Sequence, residues 1–78
     1  MTIKQAFGIV LKEEREKQDI TQLQLAGYCN LDVQTISMYE RGLRQPTIKT
    51  LLELARALNV EAEYLVTRLK ATLEAGNC

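Results

Sequence analysis

Apolar residues recur at helical spacing in three long stretches of the chain. Over about residues 2–18 the apolar stripe consists of Ile3, Phe7, Val10 and Leu11. Between Thr47 and Asn59 it consists of Ile48, Leu51, Leu52, Ala55 and Leu58. From about Ala62 to Gly76 it consists of Leu65, Val66, Leu69 and Leu73. Each pattern places apolar side chains on one face of an α-helix and predicts a helix that packs this face against a core.

A shorter helix is predicted between the first two of these stretches, beginning at Thr21. Thr21 with Gln24 three residues later is the pattern of a capping box, in which two side chains satisfy the free N–H groups at a helix start. Asn30 ends this second helix, because asparagine tolerates the left-handed backbone conformation that a tight turn between helices often requires.

A third helix is predicted from Val33 to about Arg41. Asp32 is a favoured residue for the cap at its start, and Gly42 ends it. No stretch of the sequence indicates a strand, an internal repeat or a low-complexity segment. The predicted fold class is therefore all-α, with five helices in a single domain over residues 1–78.

The second and third predicted helices form the arrangement of a helix-turn-helix over about residues 21–41. Both are short, and only three or four residues join them. The motif requires a small residue in its first helix and buried residues on either side of the turn, which Ala26, Cys29 and Ile36 can supply. Spacing alone does not establish the motif, because many small α-domains contain a helical hairpin.

The distribution of charge adds a basic edge after the third helix. The chain has zero formal net charge, which argues against coating nucleic acid by bulk electrostatics. The window from Arg41 to Leu52 nevertheless contains three cations, Arg41, Arg44 and Lys49, and no anion. A surface that contacts phosphate needs such a window, whereas a loop that only closes a core does not.

Composition excludes several function classes. The chain has two cysteines and no histidine, and without paired-cysteine spacing it offers neither a zinc site nor a catalytic set. We therefore expect no enzyme, metal or cofactor. No stretch resembles a signal peptide or a membrane span, so a cytoplasmic protein is expected. Cys29 is expected to be a small buried hydrophobic residue and Cys78 an inert terminal residue.

The stretch TQLQLAGYCNLDVQTISMYERG resembles the XRE-type helix-turn-helix regulators of the phage repressor and Cro superfamily. The downstream stretch QPTIKTLLELARALNVEAEYLV is similar to the fourth helix and the start of the fifth helix in that family, and Gly8, Leu11 and Arg15 match its first helix. The resemblance covers about residues 5–66. One departure is Asn30, where the family usually has glycine, and another is the extension beyond residue 66.

The resemblance implies roles for individual residues. The positions that face the major groove and contact bases correspond to Val33, Gln34, Ser37 and Met38. Phosphate contacts are expected from Gln22, Arg41, Arg44, Gln45 and Lys49. Arg15 and Glu40 resemble an ion pair that ties the first helix to the third. Of the groove residues, Gln34 is best suited to read a base, because its amide can both donate to and accept from adenine.

The function expected from these features is a sequence-specific transcriptional regulator that binds an inverted repeat in double-stranded DNA as a homodimer. One short helix reads too few base pairs for useful specificity, and two-fold pairing doubles the site. The dimer contact is expected on the fifth helix and tail, at about residues 61–78, through Leu65, Leu69 and Leu73. In the alternative interpretation Leu65 and Leu69 close the core of the monomer and only Leu73 is exposed.

A second function class is a protein-interaction module, such as an antitoxin or adaptor whose main ligand is another protein. Neutral net charge and the apolar Val33 and Met38 on the reading helix give this alternative some weight. A partner protein, such as a toxin or an RNA polymerase reached through Glu13 or Glu16, is compatible with either class. An enzyme is the third and least favoured class.

Overall fold

A computed structural model describes residues 1–76 of the chain, and these residues form five α-helices and no strand. The helices are α1 (Ile3–Lys17), α2 (Gln22–Cys29), α3 (Val33–Glu40), α4 (Ile48–Ala57) and α5 (Ala62–Gly76). The predicted all-α class is confirmed, and each predicted helix lies within about two residues of its expected bounds. The expectation for Cys78 falls outside the described residues.

Side-chain caps explain where several of these helices begin. At the start of α2, the hydroxyl of Thr21 accepts a hydrogen bond from the backbone N–H of Gln24 at 3.0 Å, and the amide oxygen of Gln24 accepts one from the N–H of Thr21 at 2.8 Å. This is the predicted capping box. Asp32 occupies the cap position of α3 as expected, but its side chain makes no capping hydrogen bond.

The core lies where the helices meet: α1 packs against α3 and α5, α2 packs against α3 and α4, and α4 packs against α5. The rings of Phe7 on α1 and Tyr39 on α3 meet edge to face, with their centroids 6.1 Å apart. The main buried cluster consists of Phe7, Leu11, Leu25, Ala26, Cys29, Ile36, Tyr39, Leu54 and Leu58. The expected burial of Cys29 is thereby confirmed.

The apolar stripe predicted on α4 is rotated relative to the face that packs. Leu54 is fully buried although it was not in the stripe, whereas Ile48 is 78% exposed and Leu52 is also exposed. On a helical projection of about 100° per residue, Leu54, Ala55 and Leu58 occupy one arc and the two exposed residues lie at its edge. Ile3 at the start of α1 is likewise exposed. The apolar surface of these helices is wider than the core can cover.

A buried carboxylate joins α1 to α5. One oxygen of Glu14, Oε2, accepts hydrogen bonds from Lys17 Nζ at 2.9 Å, from Tyr64 Oη at 2.8 Å and from Arg68 Nη1 at 2.8 Å. The other terminal nitrogen of Arg68, Nη2, lies 2.6 Å from Glu13 Oε1. These five residues are called the Glu14 network below. Glu13 thus pairs with Arg68 of α5, although its i, i+4 spacing from Lys17 would by itself favour a pair within α1.

The network shifts the pKa of its central group. Burial alone would raise the pKa of Glu14, but the hydrogen bonds from Lys17, Tyr64 and Arg68 outweigh it, so the pKa lies below its ordinary value. Because the pKa is lower in the folded state than in the unfolded chain, the ionised network stabilises the fold at neutral pH. That stabilisation is lost as the pH falls from the unfolded pKa through the folded pKa.

We expect Glu14→Gln to lower the free energy of unfolding at neutral pH by about 1–3 kcal/mol, because it removes the buried charge that Lys17 and Arg68 neutralise. Thermal melts followed from about pH 7 to about pH 3 should also show a shallower loss of stability on acidification for this variant. Glu16→Gln, an exposed change on the same helix, is the matched control. Parallel acid limbs for Glu14→Gln and the parent would contradict the assignment.

Candidate nucleic-acid interface

The turn between α2 and α3 has the geometry that a helix-turn-helix needs. Asn30 adopts a left-handed conformation with φ of 55° and ψ of 43°, and the N–H of Leu31 donates to the carbonyl of Ala26 at 2.9 Å. Ala26, Cys29 and Ile36 are buried around this turn. The asparagine that departs from the family pattern thus serves the turn in the expected way.

Helix α3 has one face in the core and another exposed to solvent. Ile36 and Tyr39 are its buried residues. Of the four residues predicted to contact bases, Gln34 is exposed, Val33 is 38% exposed, and Ser37 and Met38 are half-buried. On a helical projection of about 100° per residue, Gln34 lies opposite the core face and Val33 lies at its flank. The structure therefore brings the four residues together at one accessible surface.

A second buried carboxylate fixes the end of α3 to the rest of the domain. Glu40 Oε2 accepts from Arg15 Nε at 2.7 Å, and Glu40 Oε1 accepts from Arg15 Nη2 at 3.1 Å, so the predicted pair of Arg15 and Glu40 is present and bidentate. Glu40 Oε1 also accepts from Gln22 Nε2 at 2.9 Å. We call Arg15, Gln22 and Glu40 the Glu40 triad.

The Glu40 triad joins three helices through one carboxylate whose side chain is only 3% exposed. Arg15 comes from α1, Gln22 from the start of α2 and Glu40 from the end of α3. The third nitrogen of Arg15, Nη1, donates to the carbonyl of Ile20 at 2.7 Å in the link between α1 and α2. The hydrogen bond with Glu40 is the main cause of the raised pKa of Arg15, which keeps its guanidinium charged. The end of α3 is therefore held by both α1 and α2.

The sequence did not reveal that Gln22 contacts Glu40. Gln22 was expected to contact phosphate, and in the structure one of its amide hydrogens points to Glu40. The two residues are 18 positions apart, and no local pattern connects them. The second amide hydrogen remains compatible with a phosphate contact, because a primary amide has two donors.

The predicted phosphate-contact residues that follow α3 are all accessible. Arg41, Arg44, Gln45 and Lys49 are exposed. Lys49 Nζ lies 3.8 Å from Glu53 Oε1, but such an exposed pair contributes little and leaves the cation available. Arg41 differs from the others, since its Nε donates to Ser37 Oγ at 3.2 Å.

Helix α5 differs from the expectation for a dimer contact. Leu65 is only 1% exposed and belongs to a buried cluster with Val10 and Ala55, so it is unavailable to a second chain. This corrects its predicted role, because the face that carries Leu65 is used to close the monomer. Leu69 is half-buried against the main core, and Leu73 is also half-buried.

An apolar groove lies between α1, the loop before α4 and α5. It has a volume of about 100 Å³ and is lined by Ile3, Phe7, Gln45, Pro46, Leu51, Leu65, Val66 and Leu69. Val66 and Ile3 are 40% and 52% exposed at this groove. Ile48 and Leu52 on α4 are exposed as well. The apolar pattern of the sequence predicted that both of these residues, and Ile3, pack against the core.

Comparison with known proteins identifies the family. Residues 11–65, which include the whole of the α2–turn–α3 unit, match the family described as helix-turn-helix. The chain belongs to the XRE-type helix-turn-helix family. This confirms the resemblance seen in the sequence, and the family is one of DNA-binding regulators, not enzymes, as expected.

Relatives of the chain include both sequences and solved structures. It is 39% identical over 61 residues to the HTH-type transcriptional regulator ImmR of Bacillus subtilis, covering 78% of this chain and 48% of ImmR, so the chain spans about half the length of that relative. It is 34% identical to the restriction-modification controller protein C.AhdI from Aeromonas hydrophila, with a TM-score of 0.77 and coverage of 80% of this chain and 94% of that one.

A further solved structure contains DNA. The restriction-modification controller protein C.Esp1396I, crystallised as a tetramer in complex with its natural 35 base-pair operator, is 30% identical with a TM-score of 0.82 and coverage of 92% of this chain and 95% of that one.

Within residues 1–76 of the present chain, no helix is long and apolar enough to cross a membrane, and no group of three or more potential metal ligands is found.

Gly8 marks the closest approach of α1 to the end of α3. A Cβ at this position would lie 2.5 Å from the carbonyl oxygen of Tyr39 and 2.8 Å from that of Glu40. Both neighbours are backbone atoms, so they cannot rotate away. We expect Gly8→Ala to lower the free energy of unfolding by about 1–3 kcal/mol, measured by urea denaturation, because α1 and α3 must move apart.

Gly27→Ala is the matched control for this prediction. Gly27 is exposed on α2, and a Cβ there would meet nothing within 4 Å. Alanine should therefore stabilise the domain by about 0.5–1 kcal/mol. If Gly8→Ala were as stable as Gly27→Ala, the close contact between α1 and the end of α3 would be wrong.

Proposed function

We propose that this chain is a sequence-specific, DNA-binding transcriptional regulator that binds an inverted-repeat operator as a homodimer, with α3 in the major groove. The observation that carries this proposal is the accessible face of α3 beside a loop of exposed cations. An α-helix with its side chains is about 10–12 Å wide, which suits the width of the major groove.

The residues on the accessible face of α3 suit direct reading of bases. Gln34 can donate to and accept from adenine with its amide, and Val33 can pack on a thymine methyl group. Ser37 offers a hydroxyl, whereas Met38 can contribute only shape and methyl contact. The Glu40 triad holds the helix that carries them, so the reading surface is preorganised before DNA binds.

Phosphate contacts on both sides of α3 would fix its register in the groove. Arg44, Gln45 and Lys49 follow α3, and the backbone N–H groups at the start of α4 add partial positive charge there. Gln22 at the start of α2 lies across the motif and retains one free amide hydrogen. Arg41 belongs to the same basic edge. These contacts carry affinity and salt dependence rather than base preference.

A homodimer places two such helices about 34 Å apart, one turn of DNA, and so reads an inverted repeat. The surface we propose for the second copy is the apolar groove, whose lining includes Val66 and Leu69, together with the exposed Ile48 and Leu52 and the half-buried Leu73. Their exposure in the monomer supports this choice. The tetrameric, operator-bound state of C.Esp1396I supports both oligomerisation and DNA binding.

The same apolar groove favours one second candidate, a protein-interaction module. A partner protein such as a toxin or an RNA polymerase could cover Val66 and its neighbours in place of a second copy. A polymerase contact through the acidic residues of α1 has less support from Glu13, which pairs with Arg68 at 2.6 Å, than from the exposed Glu16.

Selection of duplexes from a random-sequence pool at near-physiological salt tests the function directly. The expected result is an inverted repeat with centres about one turn apart.

On that operator, Gln34→Ala should weaken the preference for one base pair of each half-site by about 1–3 kcal/mol of binding free energy. Arg44→Ala with Lys49→Ala should weaken binding to all sequences and reduce the salt slope by about two for each monomer. Failure to retain any DNA would favour the protein-interaction module.

The dimer is tested by Val66→Glu, which places a charge on the proposed contact. We expect this variant to sediment as a monomer and to bind the operator much more weakly, because a buried unpaired charge opposes association. Thr67→Glu, an exposed change at the next position of α5, is the matched control and should remain dimeric. An unchanged dimer for Val66→Glu would place the interface elsewhere.

A further inference from the structure

The side chain of Arg41 folds back along α3 instead of extending toward the loop that follows. Arg41 is the cap residue at the end of α3, and its Nε donates to Ser37 Oγ at 3.2 Å. Side chains on a helix tilt toward its N-terminus, which lets position 41 reach the turn that carries position 37. The guanidinium therefore lies beside the turn of α3 that carries Ser37.

The position of Arg41 around the helix coincides with the reading face. At about 100° per residue, Gln34, Ser37, Met38 and Arg41 fall within an arc of roughly 100°. Arg41 lies near the centre of that arc, opposite the core face formed by Ile36 and Tyr39. A residue whose only role is to contact the flanking phosphates would not need to occupy the centre of this face.

The charge of Arg41 is not neutralised by the protein. The neighbouring acid, Glu40, is withdrawn into the Glu40 triad, where Arg15 and Gln22 occupy both of its oxygens. Within residues 1–76, the two terminal nitrogens of Arg41 have no partner in the protein. The end of the guanidinium is therefore free to donate two parallel hydrogen bonds.

We propose that Arg41 reads a guanine in each half-site, and that Ser37 positions it. Guanine presents two acceptors, O6 and N7, in the major groove, and the terminal nitrogens of arginine match them in a bidentate contact. With Nε held by the serine hydroxyl, these nitrogens remain for the base. The inference rests on the proposed DNA-binding function, and it moves Arg41 from the phosphate-contact set to the base-contact set.

The test compares arginine with lysine at two positions. Once the operator has been selected, affinity is measured for the operator and for duplexes carrying each base substitution in turn. Arg41→Lys keeps the charge but loses the planar fork. We expect it to lose about 10- to 100-fold of the preference at one G·C pair per half-site, with an unchanged salt slope. Arg44→Lys is the matched control at a proposed phosphate contact: any change in its affinity should be the same for all duplexes, so that the base preference is kept at every position.

Variants of Ser37 test the positioning role. Ser37→Ala should reduce the preference at the same G·C pair, and Ser37→Thr, which keeps the hydroxyl, should restore it. In an Arg41→Lys background Ser37→Ala should have no further effect at that pair, because the two changes remove one interaction. Thermal melts of all variants establish that each is folded. A full effect of Ser37→Ala on top of Arg41→Lys would overturn the positioning role.

Two outcomes would overturn the inference and differ in what they say of the proposed function. If Arg41→Lys retained the parent's preference at every base pair, Arg41 would be a phosphate contact, while sequence-specific DNA binding would stand. If the parent itself bound all duplexes alike or none, the proposed function and the reading by Arg41 would fail together.

Discussion

The arrangement of this domain depends on one carboxylate, that of Glu40. It accepts hydrogen bonds from a cation on α1 and an amide on α2 while it terminates α3, and it is almost fully buried. A buried carboxylate is tolerated only when its oxygens accept hydrogen bonds, so the burial of Glu40 requires both Arg15 and Gln22. The same contact removes an anion from the surface that would meet DNA. The geometry and the electrostatics of the candidate interface therefore share a single cause.

A second satisfied carboxylate, that of Glu14, performs a related task between α1 and α5. Glu14 holds Tyr64 and Arg68 of α5 through hydrogen bonds of 2.8 Å, and so fixes the helix that borders the apolar groove. Helix α1 is thus joined to α3 at one point and to α5 at another. Because α1 connects both, the orientation of α3 relative to the groove is set within the monomer. A second copy that docks at the groove would meet a surface whose relation to α3 is already fixed.

The helices were predictable from the sequence because their signals are local. The capping box joins Thr21 and Gln24, which are three residues apart. The end of α2 is signalled by the single residue Asn30, which tolerates the left-handed conformation. The contacts that position the site were less accessible, since Gln22 and Glu40 are 18 residues apart and many polar pairs were equally plausible. The burial of Leu54 in place of Ile48 shows a further limit. The apolar residues of a helix such as α4 can span a wider arc of its surface than the core buries. The sequence gives that arc, but only the packing of the other helices decides which of its residues are buried.

Different residues of α3 pack against the domain and face the solvent, and this separation affects how the sequence of such a domain can evolve. Ile36, Tyr39 and Glu40 hold the helix against the rest of the domain, whereas Gln34 and Arg41 are exposed. Exchanges of exposed residues of this kind usually alter folding stability by no more than about 0.5 kcal/mol. Under the proposed function, the DNA sequence that is recognised can therefore change while the scaffold stays intact, so that descendants of one ancestral chain can acquire separate targets without first becoming unstable.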